Sequence, residues 1–513
     1  MSKGVLKAGL ALFIISVASK LLGFVREMLV ANYYGTSYVA DAYYIAQTPS
    51  TLAITFSMAI SSVFLPLFVK YSSDRKQSFL FANNVLVLFL AAVVAIYIFV
   101  MLFTELFVGT LAPGLPAQAE SLSILLVKIL FPLVFIVIAV QIYTLMLNTF
   151  NDYVASAASV LPNNIIIIVY LWIFGDKYGI TGVTIVTLVA SVIQLFILYL
   201  LLRKHNYTIM NTTEVWGVNS KEFILLLLPI IVSSGFNQLN SVVDRILASG
   251  ISEGAIASLS YAFRLRGIAT GIFITPIITL TFPKLARHSH KKDYTQVSEL
   301  THKSLFSVFV LLLPLTLIFM FFSKEIIEIL LERGNFDSRA TEMTSGIFWA
   351  YSLGIIAIGF REVTLRAFYS YGDTKTPTYI MIIGSISNVI LSYLFIKWFG
   401  LTGLGLSSSI SFVITALITI VALKKNLSSI WSRPFIQQML RLTLVTGIVG
   451  GTIYYLKYLN LIHFLLMDNK YLKILGLGLY GIFAYLLFIL LLVVLKEEEI
   501  LTLIKKLSKK IKG

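Results

Sequence analysis

The sequence predicts an all-α polytopic membrane protein with about fourteen spanning helices. Three observations lead to this fold class: the composition, the spacing of apolar segments and the charges of the loops. Of 513 residues, 58% are hydrophobic and only 12% are charged, and the mean hydropathy is +0.90. Soluble proteins carry roughly 25% charged residues. One water-soluble core could not bury this much apolar surface, so the bilayer must form part of the solvent.

Apolar segments of about 20 residues, the length that a helix needs to cross a bilayer, recur along the whole chain. They predict spans at residues 5–25, 39–69, 78–104, 121–148, 154–174, 180–202, 222–248, 254–284, 300–323, 343–370, 377–398, 402–423, 436–457 and 472–495. Four of these segments are longer than a bilayer requires, and we expect their helices to tilt or to extend beyond it: 39–69, 121–148, 254–284 and 343–370.

The loop charges alternate along the chain and predict the orientation of the spans. Stretches 27–38, 105–120 and 249–255 contain no Lys or Arg, whereas the loops at 70–76, 203–204, 284–292 and 424–433 and the tail after residue 500 are basic. Stretch 324–342 is an exception, with both signs of charge. Because basic loops stay on the cytoplasmic side, we expect an even number of spans in a bacterial cytoplasmic membrane, with both termini inside. The net charge of +16 then suits anionic membrane lipids, and no nucleic-acid partner is predicted.

An internal repeat divides the chain. Gly179-Ile180-Thr181-Gly182 recurs as Gly400-Leu401-Thr402-Gly403, and Gly35 recurs as Gly254, at offsets of about 220 residues. We therefore predict a six-helix half at 1–215, a second at 216–425, and two additional helices with a basic cytoplasmic tail at 426–513. Halves with an even number of spans share one orientation, which predicts a pseudo-two-fold axis along the membrane normal and a central cavity. This organisation is typical of transporters.

Ionisable residues within the predicted spans are the candidate binding residues, because each costs about 2.5–3.5 kcal/mol to insert. They are Lys20, Arg26, Asp41, Lys128, Asp244, Arg245, Arg264, Arg266, Arg361, Glu362 and Arg366. Eight are basic and three are acidic, so a cavity that they line would suit phosphate or carboxylate groups.

Several of these residues have a simpler explanation. Arg26 could extend its side chain to the interface, and Asp244 could only neutralise its neighbour. Glu362 and Arg366 stand at i,i+4, which favours an intrahelical ion pair over a ligand site. Lys20 and Arg264 are flanked by small or apolar residues, which favours a cavity role.

Enzymatic functions find no support in the motifs. The sequence lacks H-E-x-x-H, G-x-S-x-G and Walker A patterns, and its five histidines show no ligand spacing. Without a nucleotide-binding motif or a predicted cofactor, transport would draw on an ion gradient or the membrane potential.

A motif near the start resembles a known family. Ser19-Lys20-Leu21-Leu22-Gly23-Phe24-Val25-Arg26-Glu27, followed by Ala40-Asp41-Ala42-Tyr43-Tyr44, is similar to the signature of the MurJ/MviN lipid II flippases of the multidrug/oligosaccharidyl-lipid/polysaccharide (MOP) exporter superfamily. Tyr261-Ala262-Phe263-Arg264-Leu265 and Gly372-Asp373-Thr374-Lys375-Thr376-Pro377 also fit the family pattern. The resemblance extends over essentially the whole chain.

The resemblance implies transport of a polyprenyl-pyrophosphate-linked disaccharide-pentapeptide, lipid II, from the inner to the outer leaflet for peptidoglycan synthesis. It implies substrate binding by Lys20, Arg26, Asp41 and Arg264, and a sodium site that includes Asp244 and Asn388. Two departures bear on the substrate: Ser50-Thr51-Leu52-Ala53 has no basic residue where the family has one, and Gly267 stands where the family has an acidic residue. Ser392 stands where a second acidic ligand of the sodium site would be expected. We therefore keep two alternatives: a flippase for another polyprenyl-linked polysaccharide precursor, and a MATE-type drug/cation antiporter.

Overall fold

The computed structural model describes residues 3–71, 74–209, 218–424, 433–459 and 470–502. Within these ranges the chain is helical apart from turns, short connections and one isolated β-bridge between Arg333 and Phe336. The predicted all-α fold class is confirmed.

The helices follow one another with short connections. They are α1 (Lys3–Tyr34), α2 (Tyr38–Ala46), α3 (Thr48–Lys70), α4 (Arg75–Leu102), α5 (Thr104–Leu111), α6 (Ala117–Leu130), α7 (Leu133–Thr149), α8 (Tyr153–Ala158), α9 (Val160–Phe174), α10 (Gly179–Arg203), α11 (Val218–Ser249), α12 (Ala255–His290), α13 (Tyr294–Phe321), α14 (Ser323–Leu331), α15 (Ser338–Ser352), α16 (Ile355–Ser370), α17 (Lys375–Lys424), α18 (Arg433–Tyr458) and α19 (Lys470–Val494).

The length and composition of the helices indicate how many of them could span a membrane. In the ranges that the structure describes, nine helical segments could each cross a membrane, or eleven if each bent pair of helices is one span. One of the nine includes α17, whose 50 residues are interrupted at Gly400 by a non-helical φ of 54° and ψ of −137°. Helices α1 and α11 have 32 residues each, or about 48 Å at 1.5 Å per residue. A multi-pass membrane protein is confirmed, and the count of fourteen stays a prediction.

Three of the four long predicted spans are broken helices. Segment 39–69 is interrupted at Gln47, which ends α2 and precedes α3. Segment 121–148 is interrupted at Pro132, and segment 343–370 bends by 42° between α15 and α16. Proline has no N–H to donate and fits the first turn of a helix, which explains Pro132. Only α12 runs through as one helix of 36 residues.

The repeat is visible in the backbone. Gly35 and Gly254 have φ of 53° and 81°, and Gly179 and Gly400 have φ of 57° and 54°. These left-handed conformations favour glycine, and they recur at the offsets found in the sequence. The backbone therefore supports two repeats.

Packing divides the chain into two compact units. The first comprises Met1–Tyr261 with Arg333–Ala340, and the second comprises Ala262–Glu332 with Thr341–Gly513. In the first, α3 packs against α7 and α11; in the second, α13 packs against α16, α18 and α19. Because these units reflect contacts instead of the repeat, the domain bounds 1–215, 216–425 and 426–513 stay a prediction.

Candidate functional site

Lys20 lies on α1 and is half-buried. It makes no hydrogen bond or ion pair with any residue of the described ranges. An ammonium group on a flexible stem acts as a point charge with three donors. Lys20 can therefore offer its charge to an anion without breaking an existing contact.

Arg26, also on α1, is held in a defined orientation by its neighbours. Its Nη2 donates to Glu27 Oε1 at 3.1 Å, and its Nη1 approaches Asn164 Oδ1 at 3.5 Å. The Tyr44 hydroxyl donates to the other Glu27 oxygen at 2.8 Å. Glu27 is 6% exposed, and it connects α1 to α2. We did not single out Glu27 from the sequence, although it stands directly after Arg26 in the family-like motif.

Asp41 lies near the start of α2 and caps a different helix. Its Oδ2 accepts from the Gly254 N–H and its Oδ1 from the Ala257 N–H, both at 2.7 Å. These amides belong to the first turn of α12, where N–H groups lack helical partners and the helix dipole favours a negative charge. Asp41 is 3% exposed, so the structure presents it as a buried helix cap. Its role in substrate binding stays a prediction.

The turns around this cap fit closely together. We name them the three-turn junction: residues 35–37, 250–254 and 333–337. A Cβ atom on Gly35 would lie 2.1 Å from the Asn335 carbonyl oxygen, and one on Gly254 would lie 2.0 Å from the Thr36 carbonyl oxygen. The Asn335 N–H also donates to the Asn32 carbonyl at 2.8 Å. The close approach explains why glycine is required at two of these turns, in addition to its positive φ.

The second unit carries its own basic residues on α12. Arg264 is half-buried and Arg266 is 7% exposed. The Arg266 guanidinium lies 4.2 Å from the ring centre of Tyr351, 4.8 Å from that of Phe263 and 5.4 Å from that of Phe412. Aromatic faces stabilise a cation where water is excluded. The three rings thus stabilise the charge of the buried Arg266 guanidinium.

Helix α16 adds two cations that share one carboxylate. Arg361 Nη2 lies 3.0 Å from Glu362 Oε1, and Arg366 Nη2 lies 3.7 Å from Glu362 Oε2. The predicted i,i+4 ion pair is therefore confirmed, but one carboxylate cannot neutralise two guanidinium groups. Arg361 also lies 4.9 Å from the Phe412 ring, the ring that Arg266 approaches. The arrangement leaves an excess of positive charge on α12 and α16.

The two residues of the predicted sodium site fall in separate units. Asp244 is buried on α11, and Asn388 is 2% exposed on α17. Asn388 Nδ2 donates to Ser408 Oγ at 3.2 Å, whereas its Oδ1 has no hydrogen-bond partner in the described ranges. Ser392 shares a hydrogen bond of 2.7 Å with Ser407. No group of three acidic, His or Cys residues suited to a metal occurs among the described residues, and the sodium site stays a prediction.

Comparisons with known proteins agree with one another. The family model "Lipid II flippase MurJ" matches residues 30–475. The probable lipid II flippase MurJ of Rhizobium tropici is 27% identical over 456 residues, which cover 86% of this chain and 85% of the relative. That of Treponema pallidum is 26% identical, with 82% of each chain covered.

Two solved structures are also similar. The structure described as lipid II flippase MurJ in an inward closed conformation superimposes with a TM-score of 0.80 at 28% identity, and covers 93% of this chain and 97% of that one. An inward-facing multidrug resistance MATE family transporter of the MOP superfamily has a TM-score of 0.68 at 15% identity, and covers 82% and 99%. At that identity the second match concerns the fold alone.

Proposed function

Because the chain belongs to the MurJ family of lipid II flippases, we propose that it carries lipid II from the inner to the outer leaflet of a bacterial cytoplasmic membrane by alternating access. It acts as a transporter and catalyses no reaction. Both termini face the cytoplasm, and the polyprenyl tail of the substrate stays among the membrane lipids. The observation that carries the proposal is the set of basic side chains on α1, α12 and α16, with more guanidinium groups than carboxylates on α12 and α16.

The basic residues bind the pyrophosphate of the head group. In the first unit, Lys20 supplies a mobile point charge and Arg26 a planar fork whose orientation Glu27 fixes. The two residues are six positions apart on α1, or about 9 Å along the helix axis. In the second unit, Arg264 supplies a further charge next to the aromatic-bound Arg266. Charge-assisted hydrogen bonds of this kind are about twice as strong as neutral ones.

Asp41 acts in the conformational step. Its bonds to the amides of Gly254 and Ala257 stabilise the closed form of the three-turn junction. On alternating access the junction opens towards the outer leaflet, and the cap separates from α12. Hydrogen bonds to a charged group contribute about 1.5–3 kcal/mol each, which is enough for the two bonds of Asp41 to favour the closed form.

An ion gradient or the membrane potential supplies the energy. The support is that Asp244 and Asn388 each place an oxygen ligand in a buried setting, and Na⁺, like other hard cations, prefers oxygen. Transport in vesicles should then rise with an imposed sodium gradient, and Asp244→Asn should remove this dependence. Transport that follows neither sodium nor voltage would contradict the coupling but not the flippase function.

The flippase function is tested with the purified protein in liposomes that contain fluorescent lipid II. An impermeant quencher added outside measures how much of the lipid is exchanged between leaflets. We expect exchange with the wild-type protein and none with Arg26→Ala or Arg264→Ala. Lys128→Gln is the matched control, because Lys128 is an exposed spanning-helix lysine that should not contact the substrate.

Two outcomes would refute the proposal. Normal exchange by both arginine variants would remove the basic residues from the binding site. Exchange of a different polyprenyl-linked glycan in place of lipid II would assign the chain to the alternative substrate class.

A further inference from the structure

A polar cavity of about 330 Å³ opens beside the three-turn junction. Its lining consists of Tyr33, Tyr34, Thr36, Ser37, Val39, Glu253, Asn335, Asp337 and Arg339. Ligand pockets have volumes of roughly 300–1,000 Å³, so the cavity has room for a small molecule or a few residues of a peptide. Val39 is the only aliphatic residue of the lining, so an apolar ligand would be a poor match.

Opposite charges face this cavity without neutralising one another. Glu253, Asp337 and Arg339 are all exposed, and no ion pair joins any two of them within the described chain. Arg339 has no hydrogen-bond partner in those ranges either. Each carboxylate uses only one oxygen: Glu253 Oε1 accepts from the Tyr38 N–H at 2.9 Å, and Asp337 Oδ1 accepts from the Ala340 N–H at 2.8 Å. Two carboxylate oxygens and one guanidinium therefore remain available.

The cavity is preformed because the turns that carry these groups are fixed by backbone contacts. A Cβ atom on Gly334 would lie 2.4 Å from the Asn32 carbonyl oxygen, which is closer than real Cβ contacts allow. The Tyr34 hydroxyl donates to the Gly175 carbonyl at 2.9 Å and holds one aromatic wall in place. Preorganisation of this kind lowers the entropic cost of binding.

We propose that this cavity binds a short free peptide that carries two ammonium groups and one carboxylate, and that the bound peptide holds the three-turn junction closed. The ammonium groups pair with Glu253 and Asp337, and the carboxylate takes a bidentate bond from Arg339. These residues belong to different turns, so one ligand bridges the turns at 250–254 and 333–337. Binding lies on the face that the loop charges assign to the outside. Binding itself does not depend on the proposed function, whereas its effect on the junction rests on the opening proposed above.

The dipeptide Lys-Ala is a suitable probe, since it has both charges in this ratio at neutral pH. Isothermal titration calorimetry of the full chain in detergent should show saturable binding of Lys-Ala with a Kd below about 10 mM. Arg339→Gln removes the guanidinium, and Glu253→Gln removes a charge while retaining the shape of the side chain; each should weaken binding at least tenfold. Lys324→Gln is the matched control: it removes an exposed charge that does not line the cavity, and binding should stay within twofold of wild type.

A second measurement reports on the junction itself. Ser258 lies in the first turn of α12 and is 0% exposed, so a Ser258→Cys variant reacts with a thiol reagent only when the junction opens. Lys-Ala should slow this reaction severalfold in Ser258→Cys and have no effect when Arg339→Gln is added. Three results would each overturn the proposal. Acetyl-Lys-Ala-amide could bind as tightly as Lys-Ala, the protein could bind glucose or Ca²⁺ but not Lys-Ala, or Lys-Ala could leave the reaction rate of Ser258→Cys unchanged.

Discussion

Replacement of Asp41 by Asn tests how the three-turn junction is held closed. Asn keeps the size of the side chain and one acceptor oxygen, but its amide nitrogen would face a backbone N–H instead of accepting from it. One charge-assisted bond of about 1.5–3 kcal/mol is lost, and the other weakens by about 1 kcal/mol. The closed form should therefore lose about 2–4 kcal/mol, which corresponds to a roughly 30- to 1,000-fold shift towards opening.

The shift can be measured in intact membranes. The sequence contains no cysteine, so the introduced residue of Ser258→Cys is the only thiol of this chain that can react with an impermeant maleimide. Because Ser258 is fully buried, the reaction rate reports the open fraction of the junction. In the Asp41→Asn background we expect the rate to rise at least about 30-fold, up to the limit set by the reagent. Asp176→Asn, which alters an exposed carboxylate on another turn, is the control. An unchanged rate in properly folded Asp41→Asn protein would refute the idea that Asp41 holds the junction closed.

Three further changes test the remaining contacts. Lys20→Arg should transport normally and Lys20→Gln should fail, because a cation is needed there; wild-type exchange by the Gln variant at equal protein level would exclude Lys20 from the site. Glu27→Gln should lower exchange about tenfold, since Arg26 loses its charged partner; unchanged exchange would mean that the orientation of Arg26 is unimportant. Lys473→Gln breaks a largely buried ion pair with Glu328 of α14 and should lower the free energy of unfolding by about 1–2 kcal/mol. Lys303→Gln, which breaks an exposed pair, should have little effect. Equal thermal denaturation curves for the two variants would refute this difference.

The fold class could be predicted because it depends on local composition. Segment length and hydropathy identify spanning helices without knowledge of their neighbours, and the offset between Gly179 and Gly400 identified the repeat before its backbone conformation was known. The ion pair of Glu362 with Arg366 was predictable for the same reason, since a spacing of four residues brings side chains together on any helix.

The broken helices and the role of Asp41 were not predictable in this way. Lipid and protein interior are both apolar, so the pattern of a spanning segment does not tell which face meets another helix. Pro49 in the first turn of α3 marks a helix start after Gln47, but a proline within a spanning segment does not tell whether the helix bends or breaks. Asp41 lies 213 residues from Gly254 along the chain. The sequence shows Asp41 only as a carboxylate among apolar residues, and such a group suits a ligand site or a helix cap equally well.

Two of the helices that begin at the three-turn junction, α2 and α12, cap each other. Asp41, from the first repeat, accepts from the amides at the start of α12, and Glu253, just before α12 in the second repeat, accepts from the Tyr38 amide at the start of α2. The exchange is chemically unequal, because Asp41 is 3% exposed and Glu253 is open to solvent. Salt and competing ligands screen exposed charges far more than buried ones. Asp41 therefore provides the stable part of the closure, and Glu253 provides the part on which a dissolved molecule can act.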